Sequence, residues 1–458
     1  MAPRWGVRVY VNGSTIDDSV ENDNVPWNEK CGNIRISGGY GSWARNSQPS
    51  SADVDFLVRG DKLAEIREVG IEVTGPKGGS AQNGWYVDPT DATRVLRPVF
   101  HGFQVQSWSQ IGTGIGRVDF ADTMSAIGAH RARTAASPNS GIRQLLNDIK
   151  AVWDTASFTV DGEDQFPLGT DYYNLDRPAQ KDQPNGAWIR TALTGSGINM
   201  ACDWVGGTFE STPVEVLWRP DHFVDWSAVN TSRQINHNEF FPWALIHRDV
   251  GTQWNDFVAR VNITGDAAGG TRRYGWARLG SSTYRRRLGN RDLNLSSWID
   301  NGADLQLAAA RIMGHIGEPR YLMLKEVTWP MEFYADSYLA HPGGLTTNQV
   351  YEKVCQIAGV LPGDEVWRRQ PFNDGAPANA YATWPATAPV GSDRYEELEE
   401  AWTHTVSNNG TTGGSGIQHI IRTVTREYDP VGGWMLSLGL QIKDRVSIDS
   451  ADKGNGTE

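Results

Sequence analysis

Ile417-Gln418-His419-Ile420-Ile421-Arg422-Thr423-Val424-Thr425-Arg426-Glu427-Tyr428-Asp429-Pro430-Val431-Gly432-Gly433-Trp434-Met435-Leu436-Ser437-Leu438-Gly439-Leu440 is the stretch that decides the fold class. Ile417, His419, Ile421, Thr423 and Thr425 alternate along one arm, and Trp434, Leu436, Leu438 and Leu440 alternate along the other. Asp429 to Gly433 supply the turn residues between them. Successive side chains on a strand point to opposite faces, so period-two alternation on both sides of a Pro/Gly turn predicts a β-hairpin.

The same pattern recurs at the other end of the chain. Trp5, Val7, Val9 and Val11 alternate and run into the hairpin pair Asn12-Gly13, followed by the sets Val54, Phe56, Val58 and Val69, Ile71, Val73. Gly112-Thr113-Gly114 separates two further strands and is a turn, because Arg117 stands where a phosphate-binding GxGxxG loop needs its third glycine. Asp122 is placed to cap a short helix reaching about His130. A middle segment, about 131–245, is less regular. Ile142, Leu145, Leu146, Ile149 and Trp153 recur at helical spacing after Ser140, and Val214, Val216 and Trp218 read as a strand.

Clear strands return with Phe257, Ala259, Val261 and Ile263. An amphipathic helix follows at about 303–316, with Asn301 or Asp304 near its start, and then a strand from Arg320 to Glu326. A second helix at 346–360 opens with the capping-box pattern Thr346-x-x-Gln349. Residues 363–415, rich in Asn, Gly and Pro, read as a long insertion, and the polar tail from Asp449 reads as frayed. The expectation is a mainly β chain in three parts, 1–130, 131–245 and 246–448, with a helical and loop insertion at about 345–415.

Composition agrees with many turns around real cores: 458 residues, 39% hydrophobic, 21% charged, 50 glycines and 22 prolines. The net charge of −12 opposes a nucleic-acid-gripping surface. The basic cluster Arg285, Arg286, Arg287 and Arg291 reads as a solvated strand edge or a subunit contact. Cys31, Cys202 and Cys355 form no CxxC pair and read as buried free thiols. The amino-terminal residues contain no apolar signal region, and no run approaches eighteen apolar residues, so the chain is expected to be made in the cytoplasm without stable membrane insertion.

Enzyme chemistry finds no foothold. The nine histidines are scattered, with no HExxH, no GxSxG elbow and no P-loop, so no metal ligand set, cofactor or catalytic residue is assigned. The acidic runs Glu396, Glu397, Glu399, Glu400 and Asp161, Glu163, Asp164 read as solvated charge rather than a glycosidase pair. Nineteen tryptophans need a reason. Core packing accounts for most, while Trp188, Trp204, Trp226 and Trp243, set among loop signals, suit a subunit interface or a sugar-stacking surface.

Three stretches resemble the tail-tip hub family of long-tailed bacteriophages, including minor tail proteins of phages that infect actinobacteria. They are Arg97 to Val105 with Arg117 to Asp122, then Ser281 to Ile316, and the closing hairpin around Ile417-Gln418-His419-Ile420 and Trp434 to Leu438. The resemblance implies a non-enzymatic virion protein, assembled in the host cytoplasm. Its fold would be two tail-tube-like β-barrel or sandwich domains, each with a short packed helix, and a smaller irregular α+β domain between them. Three chains would form a ring of six similar domains that closes and extends the tail tube, with the DNA-ejection channel through it. The implied partners are the tail tube, distal tail protein, tape measure and further minor tail proteins, with DNA in transit and the host envelope at contact. A distal tail protein in a hexameric ring is the nearest alternative, and a Trp-rich adhesin for host cell-wall glycans is an alternative of another class.

Overall fold

The computed structural model of the chain describes residues 3–17, 25–39, 48–58, 60–79, 84–105, 108–122, 259–265, 272–278, 292–316, 323–340, 346–362, 365–368, 417–442 and 452–457, with shorter pieces between 125 and 251. The protein is mainly β. Its principal feature is a 14-stranded sheet that draws strands from both ends of the sequence.

The amino-terminal strands are β1 (Gly6–Val11), β2 (Cys31–Gly39), β3 (Gln48–Phe56), β4 (Glu68–Pro76), β5 (Arg94–Gln104), β6 (Ser109–Gly112) and β7 (Ile115–Asp122). At the Asn12-Gly13 turn both residues have positive φ, 48° and 83°, and Val11 and Ser14 exchange backbone hydrogen bonds of 2.9 and 3.0 Å. That is the two-residue hairpin geometry whose twist matches the flanking strands. Val7, Val9 and Val11 are buried with Val54, Phe56, Val69, Ile71, Val73, Val118 and Phe120, so the alternating positions form the core face. Trp5 lies in the same core, edge-on to Trp85 and Tyr351, over Gly75, where a Cβ would stand 2.0 Å from its ring.

Later strands complete the sheet: β8 (His247–Gly251), β12 (Met323–Pro330), β13 (Glu365–Arg368), β14 (Ile417–Asp429) and β15 (Gly433–Ile442). The path runs β1-β4-β5-β7-β3-β2-β14-β15-β12-β8. The expected closing hairpin is present, and its first arm also pairs with β2, antiparallel, from Thr423↔Gly39 to Tyr428↔Ile34. Strands from the 1–130 and 246–448 segments therefore share one hydrogen-bonded sheet. A register shift between Ile421 and Thr423 changes the phase of β14. Ile421 is buried before it, and Val424 and Arg426 are buried after it, which leaves Thr423 and Thr425 on the outer face.

A separate four-stranded sheet contains β9 (Arg260–Gly265), β10 (Arg273–Arg278), β11 (Asp292–Ser297) and β16 (Asp452–Thr457), in the order β11-β9-β10-β16. Helix α1 (Gly302–Ile316) covers one face with Leu305, Ala308, Ala309 and Ile312, and Asn301 accepts the Ala303 N–H at its start. Helix α2 (Met331–Ala340) follows β12 directly, and α3 (Thr347–Ala358) carries the expected reciprocal capping box of Thr346 and Gln349.

The fold departs from the sequence reading in two places. The tail is not frayed, because Asp452 to Thr457 pair in register with β10. Asp122 is the last residue of β7, and its buried carboxylate accepts the Ser50 N–H at 2.6 Å. Helix α2 has no counterpart in the sequence reading, since its apolar and polar residues do not separate into two faces. In the middle segment, the expected strand at Val214 appears as Val214–Pro220, paired with Phe158–Asp161 and Ile198–Asp203. The apolar set at 142–153 and the residues after Asp122 that were expected to be helical lie outside the described residues, apart from isolated positions.

Candidate functional site

Alternation on β7, β3, β2, β14 and β15 sends one set of side chains to the core and the other to a polar outer face. The core set includes Val118, Phe120, Ala52, Val54, Ile34, Ile36, Val424, Leu436 and Leu438. Pairing registers align the outer set in rows. One row runs Asp119↔Asp53↔Arg35↔Glu427↔Met435↔Pro330. The next runs Ala121↔Ser51↔Ser37↔Thr425↔Ser437↔Thr328.

The second row is almost entirely small hydroxyl side chains. Thr328 and Ser437 hydrogen-bond across it at 2.7 Å. Where β2 meets β14, Gly39 takes a φ of 114°, and a Cβ there would stand 2.1 Å from the Arg422 carbonyl oxygen. Glycine thus lets the two strands close at the end of the junction. Gly439 performs a similar service beside Thr423, whose Oγ1 would meet an added Cβ at 2.3 Å.

The charged row has a definite electrostatic arrangement. Arg117 grips the buried carboxylate of Asp55 with two bonds, Nε to Oδ1 at 2.7 Å and Nη2 to Oδ2 at 3.1 Å. Arg35 bridges to Glu427 at 3.3 Å, tying β2 to β14 from the outer face. Partial burial raises the Asp53 carboxyl above the usual range, and repulsion from neighbouring Asp119 adds to the shift while Arg117 and Arg35 oppose it. A cleft of about 540 Å³ opens at this end of the face, lined by Arg35, Asp53, Arg117, Glu427 and Met435 among others.

This arrangement offers charge and short hydroxyls, with a cleft at one end. Among the described residues no group of three or more His, Cys, Asp or Glu side chains could hold a metal ion, and no helix is long and apolar enough to cross a membrane. Cys31 and Cys355 are free and buried, and burial pushes both thiols well up.

Trp188, Trp204, Trp226, Trp243, Arg285, Arg286 and Arg287, the residues singled out in the sequence, lie outside the described residues. Of the other tryptophans, Trp5, Trp27, Trp85, Trp298 and Trp434 are buried, the core role expected for most. Trp85 donates its indole N–H to the Cys355 carbonyl at 3.0 Å, and Trp434 donates to the Gly6 carbonyl at 2.8 Å. The outer-face residues Arg35, Asp53, Asp119 and Glu427 were missed as a group. Each is the polar partner in an alternating strand, but only long-range pairing brings them side by side.

No protein-family model matches the chain, and no curated protein matches it. Among solved structures, the chain is similar to the tail protein from Neisseria meningitidis MC58, at 12% identity and a TM-score of 0.45, over 95% of this chain and 96% of that one. It is also similar to the 43 kDa tail protein of prophage MuSo2 from Shewanella oneidensis, at 10% identity and a TM-score of 0.42, over 98% of this chain and 100% of that one. A third similar structure is prophage tail protein gp18 from Listeria monocytogenes EGD-e, at 8% identity and a TM-score of 0.36, over 92% of this chain and 96% of that one.

Proposed function

We propose that the chain is a structural subunit of a phage tail tip, a hub whose polar sheet face lines the channel through which DNA leaves. The observation that carries this reading is the continuity of that face across the β2–β14 junction. Ser51, Ser37, Thr425, Ser437 and Thr328 stand in one row over strands from both ends of the sequence, and buried Ala52, Ile36, Val424 and Leu436 lie behind it.

A channel wall for DNA needs three properties, and the face supplies each. Short hydroxyl side chains leave the bore open. The carboxylates of Asp53, Asp119 and Glu427 repel a phosphate backbone, so DNA slides without being held, and the net charge of −12 has the same sign. An uninterrupted hydrogen-bonded sheet resists being pulled apart at the boundary between two units. In this reading the amino-terminal and carboxy-terminal strand blocks are two tube-like units side by side in one chain. Three chains give six such units, matching a six-fold tube, and strand edges are covered by neighbours in the closed ring. The function is mechanical and non-catalytic, and the partners are other tail proteins.

A cryo-EM map of intact particles tests this directly. The expected result is three copies at the tail tip with Ser37 and Thr425 facing the channel. Six copies would favour the distal-tail alternative, and a position away from the channel would overturn the reading.

A further inference from the structure

Residues 84–93 form a strap beside β5. The strap leaves the core at buried Trp85 and pairs with β5 through Tyr86↔Leu96 and Val87↔Val95. It then turns at Asp88, whose carbonyl accepts the Asp91 N–H at 3.3 Å. Its presence accounts for the burial of β4 on both faces. Val69, Ile71 and Val73 face the core by alternation, yet Glu72 on the opposite face is 0% exposed and Thr74 is 9% exposed. The Tyr86 hydroxyl donates to one Glu72 carboxylate oxygen, and the Tyr10 hydroxyl on β1 donates to the other at 3.2 Å. Arg8, directly opposite Glu72 in the β1–β4 ladder, forms an ion pair with Asp88 of the strap. We propose that the strap is a proton-operated clamp: a proton on Glu72 holds it shut, and its loss to water releases it.

Charge beneath the strap sets the direction. Among the described residues, Arg8 and Tyr10 face Glu72 from β1, and Tyr86 and Asp88 face it from the strap. On the third side, β5 places Pro98 opposite it. Arg94, further along β5, donates to Thr74 and to the Arg4 carbonyl, with the charge of Asp91 beside it. Arg8 stays charged at every ordinary pH. Ionised Glu72 therefore sets two negative charges against one positive charge in a site closed to water. Protonated Glu72 leaves one of each, and burying the surplus charge is the costlier state. Burial raises the Glu72 carboxyl above its usual range; the Tyr86 bond, Arg8 and Tyr10 oppose the shift, and Asp88 adds to it.

The other groups hold their states while Glu72 titrates. Burial pushes both phenols up, so each stays protonated, donating to the carboxylate or accepting from the acid. Burial opposes the charge of Asp88, but bonds from Thr90 and Arg8 keep its carboxyl below the usual range. Closed, the strap binds the Glu72 proton more tightly than when open, where water reaches the carboxyl. Closure is strongest below the usual glutamate range and weakens as pH rises through the raised value. Release reaches beyond the strap, because Trp85 ties it to α3 through the Cys355 carbonyl at 3.0 Å.

Hydrogen exchange of the full chain between about pH 4 and 8 tests the clamp, each rate divided by its intrinsic value at that pH. Amides of residues 86–88 are expected to open up to about tenfold more often per pH unit above the raised Glu72 value. Those of β10 are expected to keep their protection. Glu72→Gln has the same shape and is neutral at every pH, so it is expected to abolish the dependence, with thermal unfolding showing that the variant folds. The carbon-13 shift of the Glu72 carboxyl in the unaltered chain gives a second measurement, expected to titrate above the usual range together with strap opening. Strap protection independent of pH, a β10 response of the same size, or a dependence that survives Glu72→Gln would each overturn the proposal. A Glu72 carboxyl that titrates in the usual range would overturn it equally. The clamp lies within one chain, so its outcome is separate from the tail-tip reading.

Discussion

Arg97 and Arg426 come from opposite ends of the sequence and bind successive carbonyls at the same helix end. Arg97 donates to Gly359 at 3.3 Å, while Arg426 donates to Ala358 at 3.1 and 3.3 Å and to Val360 at 2.6 Å. Both guanidiniums are buried, and their positive charge meets the negative end of the α3 dipole. Helix α3 is thereby pinned from β5 and from β14 at once.

Removing either donor leaves buried carbonyls without their partner. Arg426→Met is expected to destabilise the chain by about 2–3 kcal/mol, the range for buried hydrogen bonds to a charged group. Chemical denaturation measures the loss. Gly84→Ala is expected to act on the same anchor through Arg97, because a Cβ at this φ of 77° would stand 1.1 Å from the Arg97 Nη1.

The Arg35–Glu427 bridge crosses the β2–β14 junction, yet its side chains are 61% and 39% exposed. Arg35→Ala is expected to cost no more than about 1 kcal/mol. Stability at the junction rests on backbone pairing and buried residues, and a double-mutant cycle with Glu427→Ala would show little coupling.

The pH response of Asp53 has an unusual sign. Its carboxyl is raised above the ordinary value, so the folded chain binds its proton more tightly than the unfolded chain does. Stability from this group is therefore greatest below the ordinary aspartate range and falls as pH rises through the raised value. Asp53→Asn is expected to flatten that acid-side dependence and to stabilise the chain slightly at neutral pH, as read from denaturation midpoints between pH 3 and 7, on the order of the usual carboxyl titration window.

Bulk on the hydroxyl row tests the channel reading. Thr425→Trp leaves the core face of β14 untouched, and particles carrying it are expected to assemble with full tails. Their DNA is expected to stay in the capsid after receptor triggering, measured as DNA protected from nuclease. Free ejection at the normal rate would count against a lumenal position for Thr425.

The carboxy-terminal strand is held by backbone and by two aromatic rings. Gly454→Val forces a side chain into the Trp276 ring and is expected to cost about 1–3 kcal/mol. The loss is expected first as faster amide exchange in β10, whose edge would be uncovered.

Much of this architecture is written locally. The alternation of Trp5, Val7, Val9 and Val11, the Asn12-Gly13 turn and the Thr346-x-x-Gln349 cap each act over a few residues, and each appears as read. Strand β16 was opaque because Asp452-Lys453-Gly454-Asn455-Gly456-Thr457 has no apolar residue; its packing surface belongs to Trp276 and Tyr274. The polar face was opaque for a different reason. Arg35, Asp53, Asp119 and Glu427 look like ordinary solvent-facing positions until β2, β3, β7 and β14 are placed side by side. The shift after Ile421 also reverses which β14 residues face outward, and no simple alternation count anticipates it.

Pairing of β2 with β14 also sets a schedule for biosynthesis. During translation the amino-terminal strands emerge long before residues 417–429, so β2 waits with an unpaired edge while most of the chain is still being made. Contacts at such sequence separation form slowly, and an uncovered edge is where newly made chains join one another instead. Yield in the cell is thus governed by a strand made long after β2, and truncations before β14 are expected to aggregate even though every amino-terminal strand is intact.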